Sequence, residues 1–169
     1  MQAFLFNVYD VSQAIDCIRV LKMTKPFWQT KSLQEMNDEE WESLCDGCAR
    51  CCLIKLENEE TSELFFTSVS CHLLDIAACR CGDYANRKFL VPECLRLRTM
   101  TEAEYQWLPQ TCAYRRLSEG KALPDWHPLI TGSTESVATA GIKVNGFALS
   151  EDNVHPDQLE DHIIQFSND

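Results

Sequence analysis

The feature that most constrains this chain is a run of four cysteines within eight residues, Cys45-Asp-Gly-Cys48-Ala-Arg-Cys51-Cys52. Cysteines spaced C-x2-C can turn their sulfurs toward one metal centre while backbone amides point at the same sulfurs. The chain has ten cysteines, and nine of them lie between Cys45 and Cys112. In a reducing compartment such a group binds metal more often than it forms disulfides. The cysteine run therefore predicts a metal-binding protein.

All nine of these cysteines are candidate metal ligands. They are Cys45, Cys48, Cys51, Cys52, Cys71, Cys79, Cys81, Cys94 and Cys112. The first three match the start of the bacterial ferredoxin motif, but Lys55-Leu56 stands where that motif has its fourth cysteine and a proline. A distant cysteine must therefore complete the first centre. We predict a first centre of Cys45, Cys48 and Cys51 with Cys94 or Cys112, and a second centre drawn from Cys52, Cys71, Cys79 and Cys81.

The ligand chemistry favours a soft metal. Thiolates select zinc, copper(I) and iron–sulfur clusters over magnesium or calcium. The chain has four histidines, none of them in a Cys/His finger spacing, so we favour an iron–sulfur cluster. Structural zinc held by cysteines alone is the alternative, and thiols without metal are a third.

Two histidines near the cysteine motifs allow more than one interpretation. His72 follows a candidate ligand, and we expect an exposed neighbour, with ligation or hydrogen bonding to the centre as the alternative. His127 lies in an aromatic turn, where we expect a structural hydrogen bond, with contact to the metal site as the alternative. Arg50 and Arg80 stand beside cysteines and are either solvent-exposed or positioned to offset thiolate charge.

Length and composition favour one small domain. With 169 residues, 45% of them apolar, the chain can build one core. We predict a loop-rich α+β domain over residues 23–169, fastened by cysteine-ligated metal. We expect residues 1–22 to be an N-terminal extension, because Met23-Thr-Lys-Pro resembles a start; an amphipathic helix over Val11–Met23 is the alternative.

Charge and hydropathy exclude two classes of partner. The net charge of −11 would repel a phosphate backbone, so we expect no nucleic acid. The most apolar segment, Met1–Leu21, is interrupted by charges, so we expect no membrane span. The same segment lacks the pattern of a secretory signal, and the expected location is the cytoplasm.

Local patterns predict six elements. They are a helix capped at Asn37, a hairpin of Cys52–Glu57 with Glu63–Val69, a capped helix opening at Thr101, a helix over Ser133–Ala140 ending at Gly141, a hairpin around Asn145-Gly146, and a helix over Asp157–Phe166.

No motif identifies a reaction. The chain contains no P-loop, no G-x-G-x-x-G and no H-E-x-x-H, so whether it is an enzyme stays open. The leading interpretation is a metal- or redox-linked accessory protein, for which an unknown protein partner is possible. The alternatives are an iron–sulfur-dependent modifying enzyme and a zinc-stabilised interaction module without catalysis.

Several motifs occur together in an order that resembles a known family. They are Phe27–Leu33, Cys45–Cys52, Cys79–Tyr84, Val91–Cys94, Thr111–Arg116 and Trp126–Leu129. In them the chain resembles the YcgN family of cysteine-cluster proteins, within the broader CxxCxxCC group of zinc- or iron-chelating domains. The resemblance covers about Pro26 to Ile164 and implies metal chelation. A related cluster in a flagellin lysine methylase makes a cluster-dependent modifying enzyme the alternative.

Overall fold

The structure, a computed structural model, describes residues 25–166. The extension predicted over residues 1–22, the alternative helix over Val11–Met23 and the tenth cysteine, Cys17, lie outside the described residues. Within 25–166 the chain folds as the predicted α+β type, with short helices around small sheets. No helix among these residues is long and apolar enough to cross a membrane.

Short elements and turns make up most of the described chain. The α-helices are α1 (Phe27–Thr30), α2 (Asp38–Ser43), α3 (Arg87–Leu90), α4 (Ala113–Ser118), α5 (Pro128–Thr131) and α6 (Glu135–Thr139). The strands are β1 (Leu53–Glu57), β2 (Leu64–Ser70), β3 (Leu74–Asp75), β4 (Arg80–Cys81), β5 (Leu149–Ser150) and β6 (Ile163–Ile164). Single 3-10 turns cover Leu33–Glu35, Arg50–Cys52, Leu97–Thr99, Glu104–Trp107, Val144–Gly146 and Glu151–Asn153, and a longer 3-10 segment covers Pro156–His162.

Strand β2 organises the main sheet. It pairs with β1 in the antiparallel hairpin that the sequence predicts. Along its other edge it pairs with β5 in parallel, with Ser70 opposite Ser150, and with β6 antiparallel. A register shift between Leu53 and Lys55 interrupts the β1 pairing. Because β1 directly follows the cysteine run, this sheet fixes one end of that run.

Two helix predictions that depend on local hydrogen bonds are confirmed. Asn37 caps α2, since its side chain accepts from the backbone N–H of Glu40 while the Glu40 carboxylate accepts from the backbone N–H of Asn37. Helix α6 is followed by Gly141 with a φ of 67°, the left-handed conformation that glycine adopts without strain. At Thr101 half of the capping box forms, since the Glu104 carboxylate accepts from the backbone N–H of Thr101, and the element after it is a 3-10 turn over Glu104–Trp107.

Two other predictions are wrong. Asn145-Gly146 lies in a 3-10 turn over Val144–Gly146, because Ile142 and Val144 are drawn fully into the core and do not extend as a strand. The helix expected over Asp157–Phe166 is a 3-10 segment followed by β6, where pairing with β2 outweighs the helical periodicity.

The core lies on both sides of the cysteine run. One cluster gathers Trp41, Leu44, Leu108 and Tyr114 with their neighbours. A second lies at the sheet and includes Leu53, Leu74 and Val144. Cys48 belongs to a third, with Val137 and Ile142. The cysteine run is therefore enclosed by packed side chains.

Candidate metal centre

The run from Cys45 to Cys52 folds back on itself through two left-handed residues. Gly47 has a φ of 70° and Ala49 a φ of 62°. Left-handed backbone costs an ordinary residue roughly 1–2 kcal/mol, so Ala49 is held there by its surroundings. The backbone N–H of Cys52 donates to Ala49 O at 2.9 Å, and that of Val144 donates to Cys48 O at 3.1 Å. These bonds fix the loop to the core.

Backbone amides point at the cysteine sulfurs. Gly47 N–H donates to the sulfur of Cys45, and Arg50 N–H donates to that of Cys48. At the start of α4 the sulfur of Cys112 accepts from the N–H groups of Tyr114 and Arg115. Each bond lowers the thiol pKa, because it stabilises the thiolate form that binds metal.

Cys51 is the common neighbour of three other cysteines. Burial raises the pKa of Cys45 to about 12 and raises the pKa values of Cys48 and Cys112, and the charge of Cys51 raises all three further. Cys45 lies on a cavity wall, where solvent reaches its surface although protein atoms surround it. We call Cys45, Cys48, Cys51 and Cys112 the primary thiol group. Of the two candidates for the fourth ligand, Cys112 is the one whose pKa the charge of Cys51 raises.

A cavity of about 840 Å³ opens beside this group. Six cysteines line it: Cys45, Cys51, Cys52, Cys71, Cys81 and Cys94. Its other walls include Trp41, Tyr84 and Trp107. Cys52 forms a side-chain hydrogen bond with Cys51, which is the largest cause of the raised pKa of Cys51. Six of the nine predicted ligands therefore lie around one space.

Three of the cavity cysteines form a second set. The charges of Cys81 and Cys94 raise the pKa of Cys71, although burial is the larger cause. Cys81 is held by the β3–β4 pair, where it lies opposite Leu74. We call Cys71, Cys81 and Cys94 the secondary thiol group. Cys94, the other candidate for the first centre, thus lies with Cys71.

Cys79 lies apart from the cavity. It has a φ of 52° and is buried in the core cluster at the sheet. Its thiol donates to Ile76 O at 3.5 Å. Its role as a ligand stays a prediction, since the structure does not bring it among the cysteines of the cavity wall.

Lys55 places a positive charge between the two thiol groups, which the sequence analysis missed. Its ammonium donates to Cys51 O at 2.9 Å and to Leu53 O at 2.7 Å. Burial lowers the pKa of Lys55, while the thiolates of Cys51, Cys52 and Cys94 oppose that shift. Alternation along β1 offered a signal, because Lys55 shares a strand face with the buried Leu53.

His127 has the structural role that the sequence predicts. It is fully buried, and burial lowers its pKa. Its Nε2–H donates to Leu44 O at 3.1 Å, and its Nδ1 accepts from Leu129 N–H at 3.1 Å. This neutral imidazole therefore fixes the residue that precedes Cys45.

The remaining candidates beside cysteines have separate surroundings. Arg50 is buried: its Nε donates to Ile142 O, and its guanidinium lies 3.9 Å from the centre of the Phe166 ring. Of the two alternatives left open for Arg50, solvent exposure is therefore ruled out. Arg80 is exposed on β4. His72 is exposed, and its Nδ1 lies 2.6 Å from Glu151 Oε1. No local signal pointed to Glu151, because it reaches His72 only through the pairing of distant strands.

The residues of the primary thiol group fit a metal centre. They supply four thiols, backbone N–H donors to three of the sulfurs, and the nearby Lys55 ammonium. Such donors and charges stabilise the anionic sulfurs of zinc sites and iron–sulfur clusters alike. The arrangement can bind a soft metal and hold its ligands in fixed orientations.

Comparison with known families agrees with this chemistry. Residues 44–113 match a family model described as "CxxCxxCC: Putative zinc- or iron-chelating domain". The match begins one residue before Cys45 and ends one residue after Cys112, so it spans all nine candidate ligands. It supports metal chelation and leaves the choice between zinc and iron open.

Bacterial relatives match most of the chain. A UPF0260 protein of Rhizorhabdus wittichii is 56% identical over 140 residues, which cover 83% of this chain and 94% of that protein. A UPF0260 protein of Vibrio vulnificus is 52% identical over 143 residues, covering 85% and 97%. One from Parvibaculum lavamentivorans is 51% identical over 142 residues, covering 84% and 93%. No solved structure matches the chain.

Proposed function

This chain belongs to the UPF0260 family, and on that premise we propose that its primary thiol group ligates an iron–sulfur cluster in a redox-linked accessory protein of the bacterial cytoplasm. The observation that carries the proposal is the position of Cys51 among Cys45, Cys48 and Cys112, with backbone N–H groups directed at the surrounding sulfurs. Four cysteines complete the ligation of such a cluster.

Sulfur spacing favours a cluster over a single zinc ion. On one tetrahedral zinc with bonds of about 2.3 Å, the sulfurs stand about 3.8 Å apart. Among residues 25–166, no three cysteine sulfurs all lie within 4.8 Å of one another. In a four-iron, four-sulfur cluster each cysteine binds a different iron atom, so the cysteine sulfurs lie further apart than on one ion. The lack of a close trio of cysteine sulfurs among residues 25–166 suits such a cluster better than one zinc ion.

A complete set of four cysteines suits electron transfer more than substrate binding. An accessory role would then require a protein partner that exchanges electrons with the cluster. The acidic surface expected from a net charge of −11 favours a partner with a basic face.

The experiment is metal and acid-labile sulfide analysis, with a visible spectrum, on protein purified without oxygen. Iron with matching sulfide and broad visible absorption is the expected result. Zinc without sulfide would overturn the cluster and favour the zinc-stabilised interaction module. Absence of both metals would oppose any resident centre.

A matched pair of variants tests the fourth ligand. Cys112→Ser should abolish the sulfide of the primary centre, because it removes the thiol beside Cys51. Cys94→Ser should retain it, because Cys94 lies with Cys71. The reverse result would place Cys94 in the first centre and contradict our assignment.

A modifying enzyme is the second candidate, and the cavity favours it. Its volume of about 840 Å³ lies in the range of small-molecule sites, and aromatic side chains line it beside the cysteines. Enzyme chemistry at the cluster would need an iron with an open position. Cyanide added to the reduced protein should then alter its electron paramagnetic resonance spectrum, and an unchanged spectrum would oppose this function.

A further inference from the structure

The end of β2 and the end of β5 bring together three side chains outside the primary thiol group. The two strands are parallel, with Val69 opposite Leu149 and Ser70 opposite Ser150. The chain leaves both strands at the same edge of the sheet. Cys71 and His72 follow β2, and Glu151 follows β5, so they lie side by side although they are far apart in sequence.

Their metal-binding atoms are close together. The Cys71 sulfur, a His72 ring nitrogen and a Glu151 carboxylate oxygen all lie within 4.8 Å of one another. Glu151 Oε1 also accepts from the backbone N–H of His72 at 2.7 Å, which fixes the carboxylate against the start of this loop. In the search of residues 25–166 for three or more cysteine, histidine or carboxylate donors within 4.8 Å of one another, Cys71, His72 and Glu151 are the group found.

We propose that Cys71, His72 and Glu151 bind one divalent transition-metal ion, zinc or iron(II), with a remaining coordination position open to the cavity. Thiolate, imidazole and carboxylate are all ligands of these ions, with bonds of about 2.0–2.3 Å to zinc. Donor atoms up to 4.8 Å apart reach one ion after small side-chain rotations. Three protein ligands with one open position are typical of metal sites that bind water or substrate.

The surroundings agree with an accessible ion. Cys71 and Glu151 both line the cavity, while the side chains of His72 and Glu151 are 40% and 35% exposed. An ion held here would face the space next to the primary thiol group. A small ligand in the cavity could then contact this ion and the wall formed by the secondary thiol group at the same time.

This site shares no residue with the primary thiol group, so the proposed ion and the proposed cluster can be tested independently of each other. Cys81 and Cys94 lie on the same side of the cavity, but their sulfurs are not part of the close trio. If both proposals hold, one chain binds two kinds of metal: a cluster that contains sulfide and a single ion that does not.

The test measures bound metal and sulfide in the full chain, purified without oxygen and supplied with zinc. His72→Gln and Glu151→Gln should each lose one metal equivalent per chain and keep all sulfide. Asp152→Asn is the matched control, because Asp152 is an exposed neighbouring carboxylate that bonds only locally to Ser150, and it should keep both. Cobalt(II) added in place of zinc should give a thiolate charge-transfer band that both test variants lose.

Three results would overturn the site. Full metal content in both His72→Gln and Glu151→Gln would show that neither residue is a ligand. Loss of sulfide in those variants would assign them to the sulfide-containing centre. Loss of the same metal equivalent in Cys94→Ser would replace the mixed site with one built from cysteines. The two results that concern metal content do not depend on whether the primary group holds iron or zinc, whereas the sulfide result applies where that group holds a cluster.

Discussion

The primary and secondary thiol groups differ in what holds them. Cys48 of the primary group is buried among apolar side chains, and Cys51 and Cys112 pack against the cluster of Trp41 and Leu44. Cys71 follows the end of β2 and Cys81 lies in a strand of two residues, and neither packs against one of the three core clusters. The first group is thus built on the core, whereas the second lies between turns.

This difference separates two ways of organising ligands. A group built on packed side chains keeps its sulfurs near their places without metal, so little ordering accompanies binding. A group carried by turns must be ordered when the ion binds, which weakens binding and leaves room for other ligands. We infer that the primary thiol group holds its metal permanently. The metal ion bound next to the secondary thiol group would exchange with solution.

The largest effect should come from Cys51. Cys51→Ser removes the common neighbour of Cys45, Cys48 and Cys112, so we expect loss of all sulfide and of most metal, measured on protein purified without oxygen. Cys81→Ser should retain the sulfide, because Cys81 belongs to the secondary group. Equal losses in the two variants would erase the distinction between the groups.

Cys79→Ser is the control for the removal of a buried thiol. It alters a buried cysteine whose thiol bonds to Ile76 O, away from the cavity. Its sulfide content should match that of the unmodified chain. If Cys79→Ser lost sulfide, loss of sulfide in the other variants would reflect general destabilisation of the chain and would not identify ligands.

Metal removal should reduce the amide protection of the two thiol groups unequally. After chelation, we expect amide hydrogen exchange to rise about tenfold for residues 71–94, where short strands and turns carry the secondary thiol group. The backbone N–H of Tyr114, which donates to Cys112, should stay more protected, because the packed side chain of Tyr114 is almost fully buried. Uniform loss of protection would show that the primary side also depends on metal for its fold.

The predictable parts of this molecule are those encoded by neighbouring residues. The capping box of Asn37 and Glu40 and the left-handed Gly141 depend on bonds within a few residues, and both could be read from the sequence. The hairpin of β1 and β2 follows from two β-prone runs around a polar loop. The nine candidate ligands were likewise visible as cysteines in the sequence.

Long-range pairing explains the rest. Glu151 reaches Cys71 only because β5 pairs in parallel with β2. A strand of two residues is too short to show a β pattern in the sequence. Asn145-Gly146 has hairpin chemistry, yet burial of Ile142 and Val144 sets its backbone. Assignment of Cys112 and Cys94 to different groups also required the packing of α4, since spacing allowed either.

A smaller effect is expected from Lys55, whose charge lies between the thiol groups. Lys55→Met removes a positive charge near Cys51, which disfavours the more negative reduced state of a cluster. The reduction potential should fall by about 60 mV, a tenfold change for one electron. Lys55→Arg should keep most of the potential, and spectroelectrochemical titration measures both. An unchanged potential in Lys55→Met would place the ammonium outside the electrostatic reach of the cluster.

The smallest effect concerns His127, which supports the primary group through Leu44. Burial lowers its pKa in the folded chain below the ordinary value of 6.5, so the unfolded chain takes up a proton first as the pH falls. The free energy of unfolding should therefore decrease below about pH 6.5, by at most about 1.4 kcal/mol per pH unit. Chemical denaturation of the metal-loaded chain at several pH values measures this slope.

His127→Gln isolates that contribution from the titration of the cysteines. Its amide can donate to Leu44 O and accept from Leu129 N–H as the imidazole does, but it takes up no proton. Below pH 6.5 the variant should lose stability less steeply than the unmodified chain, whatever its stability at pH 8. His155→Gln alters an imidazole that is 68% exposed, and its slope should stay unchanged. Parallel slopes for all three proteins would show that the buried imidazole of His127 is not a source of acid sensitivity.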